Sequence, residues 1–222
     1  MKDPSVWNSH SLSAVAATLT PRKSPVQARS AATVEMLHVA AIQVLVREGL
    51  SRCTTTRIAE RAGMSVGSLY QYYPNRDALL AAVLEQHLEG VTGAVERACR
   101  DHRKKPVGDM ASALVIAFLA AKLGEPEKSK ALYAVAGERG GAELVARMHR
   151  RMVAAIAALL ASAPDARFDD PPVTGMIVLS ALVGPVRSLL EGHAPAEFET
   201  GLERQLVLLL SAYLQAHRRE RR

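Results

Sequence analysis

Apolar residues recur at intervals of three and four along most of this chain, which is the spacing that puts them on one face of an α-helix. The first such segment runs from Val26 to Gly49, and its apolar positions are Val34, Leu37, Ala41, Val44 and Leu45. No run of alternating apolar and polar residues predicts a β-strand. The pattern therefore predicts an all-α protein.

The region between residues 50 and 76 predicts two short helices joined by a glycine turn. Thr54 or Thr55 is placed to cap the first of them, "TRIAERA". The turn "AGMS" contains Gly63, which tolerates a left-handed backbone, and Ser65 can cap the helix that follows. Pro74 then ends this helix before a long periodic segment begins. Two short helices joined in this way are typical of a helix-turn-helix.

Beyond residue 107 the chain shows only helical periodicity. The segments lie near 107–123, 127–136, 139–163, 171–192 and 195–218, and the breaks between them are rich in Gly, Pro and acidic residues. The most apolar stretch, "GMIVLSALVGPVRSLL", is interrupted by Pro185 and Arg187. Because it is too short to span a bilayer, we expect a buried helix and no membrane partner.

Composition and charge narrow the class of protein. The chain has 222 residues, 49% hydrophobic and 23% charged, which favours a packed core. Its net charge of +6 favours a polyanionic partner. Cys53 and Cys99 form no metal-ligand cluster and no disulfide framework, which fits a reducing cytoplasm and predicts neither metal nor cofactor. The histidines are scattered and no catalytic motif appears, so we expect no enzyme.

The outward side of the second short helix is polar but uncharged. Its positions are Val66, Gly67, Ser68, Tyr70, Gln71 and Tyr72. Such a surface can enter a major groove, where the Gln71 amide suits adenine and the Val66 methyls suit thymine. Positive charge surrounds it instead: residues 21–76 carry eight Lys or Arg and three Glu, a net +5. This distribution predicts DNA binding.

Four stretches, "LHVAAIQVLVREG", "TTTRIAERAGMS", "GSLYQYYPNR" and "ALL", make this region resemble the DNA-binding domain of the TetR (tetracycline repressor-like) family of bacterial transcription regulators. The resemblance covers about residues 27–85. Tyr73 stands where the family usually has Phe, and Arg76 where it has Lys. His38 stands where the family usually has an apolar residue, and the sequence offers no reason for it.

The resemblance implies an N-terminal three-helix domain and a larger helical domain for effector binding and dimerisation. We expect a flexible basic tail over 1–25, the DNA-binding domain over 26–75 with its motif at 54–73, and the helical domain over 76–222. The DNA contacts that it implies are Thr54, Thr55, Ser65, Val66, Gly67, Ser68, Tyr70, Gln71, Tyr72 and Arg76.

A homodimer is expected because one recognition helix gives too little affinity for one genomic site. The segment 171–192 is apolar nearly all round and must be covered on several sides. Together with 195–218 it could form a four-helix bundle between two subunits. The interface residues expected are Leu179, Leu182, Val183, Val186, Leu206, Leu209, Leu210 and Tyr213. The alternative is burial of these residues within one chain.

The family's usual effector pocket implies a small-molecule site among the middle helices. The candidates are Phe118, Tyr133, Met148, Met152, Met176 and Arg187; plain core is the alternative for each apolar one. We expect Arg187 to be a buried arginine, which needs a partner: an acidic ligand, a neighbouring carboxylate or the other subunit. The function implied is a ligand-released repressor of a palindromic operator. The alternatives are an architectural DNA-binding protein and a redox-responsive one acting through Cys53.

Overall fold

A computed structural model of the chain describes residues 28–138, 140–195 and 197–217. Within these ranges it contains a single 3-10 turn, Leu50–Arg52, and no β-strand, so the all-α prediction is confirmed. The predicted basic tail, residues 1–25, lies outside the described residues. The α-helices are α1 (Ala28–Glu48), α2 (Thr55–Arg61), α3 (Val66–Tyr70), α4 (Arg76–Asp101), α5 (Val107–Leu123), α6 (Pro126–Ala136), α7 (Gly141–Leu160), α8 (Pro171–Leu190) and α9 (Phe198–Gln215).

The chain forms two compact units. Of the described residues, the first contains 28–86, 131–138 and 140–144, and the second contains 87–130, 145–195 and 197–217. Helix α4 therefore contributes its first residues to one unit and the remainder to the other. The predicted domain limits of 26–75 and 76–222 stay a prediction.

The first unit is built on α1, which packs against α2, and on α2, which packs against α3. Its core contains the apolar stripe that the sequence predicts on α1, with the exception of the half-buried Val34. Side-chain caps begin the helices that follow: the Thr54 hydroxyl accepts from Arg57 N at 3.4 Å, and Asn75 Oδ1 accepts from Ala78 N at 2.8 Å. The fully buried residues on α1, α2 and α3 are Leu37, Ala41, Ile58, Ala59 and Leu69.

A buried polar chain explains the two departures from the apolar pattern in this unit, His38 and Tyr73. The Tyr73 hydroxyl lies 2.6 Å from His38 Nε2, and His38 Nδ1 lies 2.9 Å from Gln86 Oε1. Gln86 Nε2 in turn donates to Glu35 Oε2 at 3.1 Å. Tyr73 is 1% exposed and His38 7%, so each hydroxyl or ring nitrogen needs the partner that it has. Burial also raises the pKa of Tyr73 to about 12.

In the second unit, α5, α8 and α9 contact one another, and α8 lies close to α7. The close approach occurs at Gly175, where a Cβ atom would lie 3.2 Å from the Val153 carbonyl oxygen. Arg151 of α7 joins α4 through its guanidinium, 2.6 Å from a Glu89 oxygen and 3.1 Å from a Glu96 oxygen. These contacts fix the order of helices around the core.

The expectation that the apolar stretch around Pro185 is too short for a membrane span is wrong. By length and composition alone, Pro171–Leu190 and Ser30–Glu48 could each cross a membrane, as could α5 and α6 taken together. Pro185 lies inside α8 and does not end it. In the structure α8 instead buries one stripe within its own unit, which comprises Thr174, Gly175, Val178, Leu179, Leu182, Val186 and Leu190.

Tyr73→Phe should lower the free energy of unfolding by about 1–3 kcal/mol, because it leaves buried His38 Nε2 without its hydroxyl partner. The double variant Tyr73→Phe/His38→Leu removes both polar groups, so we expect it to cost at least about 1 kcal/mol less than the two single variants added together. Urea unfolding measures all three. Tyr72→Phe is the matched control, and strictly additive costs would show that the two groups are not coupled.

Candidate nucleic-acid interface and ligand site

The turn between α2 and α3 has the geometry that the glycine predicts. Gly63 adopts φ +66°, its N–H donates to the Glu60 carbonyl at 3.1 Å, and Met64 N–H donates to the Ala59 carbonyl at 3.0 Å. These two bonds satisfy carbonyls at the end of α2 while the chain reverses its direction. An L-residue with a side chain is strained in this conformation, so the turn depends on glycine.

Helix α3 is shorter than predicted. It ends at Tyr70, and Gln71 and Tyr72 lie in the turn that follows. Ser65 caps its start: the hydroxyl accepts from Ser68 N at 3.0 Å and lies 2.8 Å from the Ser68 hydroxyl. Both serine side chains are therefore oriented by each other at the beginning of the helix.

The predicted DNA-contact residues divide by exposure. Gly67, Tyr70 and Gln71 are exposed, whereas Val66, Ser68 and Tyr72 are half-buried. Leu69 is fully buried, so α3 has one inward and one outward side as predicted. A Cβ atom on Gly67 would meet only Ser65 Oγ, at 3.7 Å. The packing of the chain itself therefore does not require glycine at this position.

The structure brings Thr55 to the recognition helix. Its hydroxyl lies 3.3 Å from the Tyr70 hydroxyl, so the start of α2 and the end of α3 present adjacent oxygen atoms. Thr54, one residue earlier, is exposed and caps α2. The family resemblance implies that both threonines contact DNA, but nothing in the sequence indicates that Thr55 and Tyr70 are neighbours.

The basic residues around this surface are partly paired with acids. Arg76 Nε lies 3.0 Å from Asp77 Oδ1, and Arg76 Nη2 lies 3.7 Å from Glu138 Oε2. Arg57 lies 2.5 Å from Glu48. All of these pairs are at least one-quarter exposed, so solvent weakens them.

The expected ligand-site residues are divided between the two units. Phe118, Met148 and Met152 are buried in the second unit, whereas Tyr133 is half-buried in the first. Met176 is 47% exposed, and its assignment to the ligand site stays a prediction. Helix α8 turns that side of its surface away from its own core.

The expectation of a buried Arg187 is also wrong. Its side chain is 57% exposed, and its Nε lies 2.8 Å from Glu191 Oε1, one helical turn along α8. An exposed pair at this spacing is a surface interaction of a few tenths of a kcal/mol. Arg187 therefore carries no argument for an acidic ligand.

Five of the eight expected interface residues face the core of their own chain. These residues are at most 2% exposed, because the buried stripes of α8 and α9 contact each other and α5. Of the remaining three, Val183 and Tyr213 are half-buried, and Leu209 is 51% exposed. The five buried residues are Leu179, Leu182, Val186, Leu206 and Leu210.

The most exposed large apolar residues of these helices are Val173, Met176 and Ile177 on α8 and Leu208 and Leu209 on α9. Of these five, the sequence predicted only Leu209 at an interface. The three residues on α8 lie at helical spacing, so they share one side, and Ser180 and Gly184 continue it. We call this set the outer apolar face. Sequence reasoning missed the residues on α8 because apolar residues occur nearly all round that helix.

Basic groups inside the second unit were also missed. Lys122 of α5 is 6% exposed, and its Nζ lies 3.5 Å from His87 Nε2 of α4. Burial lowers the pKa of Lys122 to about 8. Burial and then the charges of Lys122 and Lys128 lower the pKa of His87 to about 4. The only signal in the sequence was one lysine inside the apolar run "ALVIAFLAAKL".

His149 of α7 belongs to the same group. Burial, followed by the charge of Lys122, lowers its pKa as well. His87, Lys122 and His149 therefore bring basic side chains from three helices to one region, which we call the interior basic cluster. Within the described ranges, no group of three or more His, Cys, Asp or Glu side chains could hold a metal ion.

Both cysteines are poorly placed for redox chemistry. Cys53 is fully buried, and burial raises the pKa of its thiol to about 11. Cys99 is 4% exposed, and burial raises the pKa of its thiol to about 12. At neutral pH both stay protonated and inaccessible, and a thiol in this state is a weak nucleophile. This geometry disfavours the redox-responsive alternative.

Two family models match the chain. Residues 37–83 match the model described as bacterial regulatory proteins of the tetR family, and residues 106–214 match the tetracyclin repressor-like C-terminal domain. Together they cover the helix-turn-helix and the helices α5 to α9.

A curated relative matches a short part of the chain. The chain is 35% identical over 53 residues to the nucleoid occlusion factor SlmA of Actinobacillus pleuropneumoniae, and the alignment covers 24% of this chain and 26% of SlmA. The chain thus spans about a quarter of the length of this curated relative.

Solved structures share the fold over most of the chain. One described as a TetR-family transcriptional regulator from Mesorhizobium loti has a TM-score of 0.71 at 17% identity, covering 87% of this chain and 100% of that one. SmeT, the repressor of the Stenotrophomonas maltophilia multidrug efflux pump SmeDEF, has a TM-score of 0.65 at 22% identity, covering 84% and 91%.

His87 should make the free energy of unfolding fall as pH drops from 6.5 towards 4. Its pKa is about 4 in the folded state and about 6.5 when unfolded, so only the unfolded state gains a proton in this window. The free energy of unfolding therefore has its full value above pH 6.5, and up to about 3 kcal/mol of it is lost by pH 4. His87→Leu should remove that loss, as measured by urea unfolding across this range.

Exposed His193 supplies the control for this measurement. Its side chain is 71% exposed, so His193→Leu should leave the pH dependence of unfolding close to that of the unmodified chain. If His87→Leu and the unmodified chain lose stability equally between pH 6.5 and 4, then His87 is not held neutral by burial.

Proposed function

The chain belongs to the TetR family of bacterial transcription regulators, and we propose that it represses transcription from a palindromic operator until a small molecule releases it. The observation that carries this proposal is the helix-turn-helix of α2 and α3, with its capped, outward-facing and uncharged recognition surface. Members of this family are regulators that bind DNA, and homodimers are typical of them. We therefore propose a cytoplasmic regulator without catalytic activity.

In the DNA complex α3 lies in the major groove. The exposed Gln71 amide and the Tyr70 and Tyr72 rings are then the groups closest to base edges and groove walls. The Thr54 and Thr55 hydroxyls and the first N–H groups of α2 lie against phosphates. Arg76 exchanges its carboxylate partners for a phosphate, and the absence of a side chain on Gly67 allows the backbone to approach the DNA.

A second copy of the chain occupies the outer apolar face. Its five large side chains are between 45% and 62% exposed, and small residues beside them would let helices approach closely. Two copies related by a twofold axis bury this face in a four-helix bundle of α8 and α9. The two recognition helices then contact two half-sites about one helical turn apart, ~34 Å.

Release by a small molecule follows from a two-state equilibrium. A ligand that binds more tightly to a form with misplaced recognition helices weakens DNA binding by the ratio of its two affinities. SmeT, whose fold this chain shares, has been solved in complex with triclosan. The buried Phe118, Met148 and Met152 are the residues that we assign to the corresponding ligand site here.

Selection from a randomised duplex library should enrich one near-palindrome with half-sites about one helical turn (~34 Å) apart. Gln71→Ala and Tyr72→Ala should each weaken binding to that site by about tenfold or more, which is ~1–3 kcal/mol for a lost base contact. The measurement is fluorescence anisotropy at fixed salt concentration. Gln215→Ala, an equivalent substitution at an exposed position on α9, should leave the affinity unchanged.

Two results would count against this proposal. Binding that is salt-sensitive but equal for all sequences would favour the architectural alternative. A selected site whose affinity is unaffected by Gln71→Ala and Tyr72→Ala would place sequence recognition elsewhere on the chain.

Ile177→Glu and Leu208→Glu should convert the dimer to a monomer, because each buries a carboxylate in an apolar interface. Operator affinity should fall with the dimer, since a monomer contacts only one half-site. Sedimentation velocity at micromolar concentration measures the mass. Ile116→Glu is the matched control: Ile116 is 52% exposed on α5, outside the outer apolar face. If Ile177→Glu and Leu208→Glu stay dimeric as the control does, the second copy binds another surface.

A further inference from the structure

A cleft of about 120 Å³ lies between the last turns of α4 and α7, and all the residues that line it belong to the second unit. Contacts between the same two segments flank it. The Arg151 guanidinium donates to Glu96 on one side, and the Lys104 N–H donates to the Ser162 hydroxyl at 3.0 Å on the other. The two segments are therefore held together while the space between these contacts stays open. We call this space the α4–α7 cleft.

Small side chains keep the cleft open. Ala155 and Ala158, one turn apart on α7, line it with methyl groups only, and the buried Cys99 and Leu159 line it as well. We call these four residues the apolar floor. An apolar cavity of about 150 Å³ holds a benzene ring, whereas sites for drug-sized ligands begin at about 300 Å³. A ligand of the α4–α7 cleft must therefore be small.

Positive charge borders this floor. Arg100 and Arg103 line the cleft and are exposed, and neither side chain forms an ion pair within the part of the chain that the structure describes. Glu96 is the acid that lines the cleft, and both of its oxygens accept from the Arg151 guanidinium, at 3.2 and 3.1 Å. Because Glu96 is offset by Arg151, the two remaining guanidinium groups favour an anion.

The charge of Arg100 extends to the apolar floor. Burial, followed by the charge of Glu96, raises the pKa of the Cys99 thiol to about 12, and the charge of Arg100 acts in the opposite direction. At neutral pH the thiol is protonated and behaves as a small apolar group. A molecule in the cleft therefore contacts neutral sulfur and methyl groups, with positive charge beside them.

These features together define the chemistry of a ligand. A carboxylate can accept two parallel N–H bonds from one guanidinium group, whereas a cation would be repelled by both arginines. Exposed ion pairs are weakened by solvent, so the arginines alone give little affinity. The apolar floor must supply the rest, and this requires a ligand with an apolar body next to its charge.

We propose that the α4–α7 cleft binds a small organic monocarboxylate whose apolar body is about the size of a benzene ring. The carboxylate pairs with Arg100 and Arg103, and the body lies on the apolar floor. This inference goes beyond the proposed function, since binding at the cleft needs neither an operator nor the ligand site assigned above to the second unit.

Fluorine NMR on the full-length chain tests this inference with 4-fluorobenzoate as the probe. The neutral control is 4-fluorobenzyl alcohol, which has the same ring. We expect 4-fluorobenzoate to bind with a Kd of about 1 mM or lower and at least about fivefold more tightly than the alcohol, because two exposed ion pairs are worth about this much. Inorganic phosphate at the same concentration should not displace the probe, since it has no apolar body.

The double variant Arg100→Gln/Arg103→Gln should bind the acid no more tightly than the alcohol. Its matched control is Arg97→Gln/Arg150→Gln, which removes one exposed arginine near the cleft from each helix without changing a residue that lines it. This control should keep the preference for the acid.

Ala158→Leu tests the floor separately from the charges. Ala158 is exposed, so a larger side chain is accommodated by the fold, but the added carbons fill the cleft. Binding of both acid and alcohol should be lost although both arginines remain. Ala154→Leu, at an exposed position of α7 that does not line the cleft, should bind as the unmodified chain does. Circular dichroism confirms that each variant is folded.

Any of four results would overturn the inference. The acid fails to bind at concentrations up to about 10 mM, the alcohol binds as tightly as the acid, the double arginine variant keeps the preference, or Ala158→Leu still binds the acid. Displacement by phosphate would also contradict it, because it would show an adventitious anion site on the arginines alone. Operator binding is measured independently, so its failure would leave a confirmed carboxylate site standing, and the reverse also holds.

Discussion

The hydrogen bond between the Tyr73 hydroxyl and His38 anchors the element on which DNA recognition depends. Helix α3 has only five residues, far fewer than an isolated helix needs to be stable in water. Its position must therefore come from its neighbours: Leu69 buried beneath it, the Ser65 cap at its start, and the bond to α1 just after its end. The same polar chain continues through Gln86 on α4. The short helix α3 is thus held at its start, beneath its middle and just after its end.

The second unit buries ionisable groups as well. Lys122 is 6% exposed with its Nζ 3.5 Å from His87 Nε2, and burial lowers the pKa of Lys122 to about 8 and that of His87 to about 4. A charge in such a place is screened far less than one on the surface, such as Arg187 beside Glu191. At pH 7 His87 is therefore neutral, whereas Lys122 keeps most of its charge.

The helices α8 and α9 show how one chain can be stable and still prepared to dimerise. Each buries one stripe against its own unit and leaves large apolar residues on the opposite side. Helix α8 also packs closely against α7 at Gly175, so its inner side is covered within its own unit. In such a protein one set of apolar residues stabilises the folded chain, and a different set is left to stabilise a dimer.

Local chemistry was enough for the sequence alone to determine the helices and the DNA-binding motif. Helix α5 begins and ends at the predicted residues, 107 and 123, and the glycine turn at Gly63 and the caps at Thr54 and Ser65 are formed as expected, because each depends only on residues a few positions apart. The tertiary structure decided which side of an almost uniformly apolar helix is inside: Leu179 and Leu182 face the core, whereas Ile177 faces outward. It also decided that His38 has a partner 35 residues away, that Arg187 is exposed and that Lys122 is buried. These outcomes depend on distant segments meeting in space, which helical periodicity does not encode.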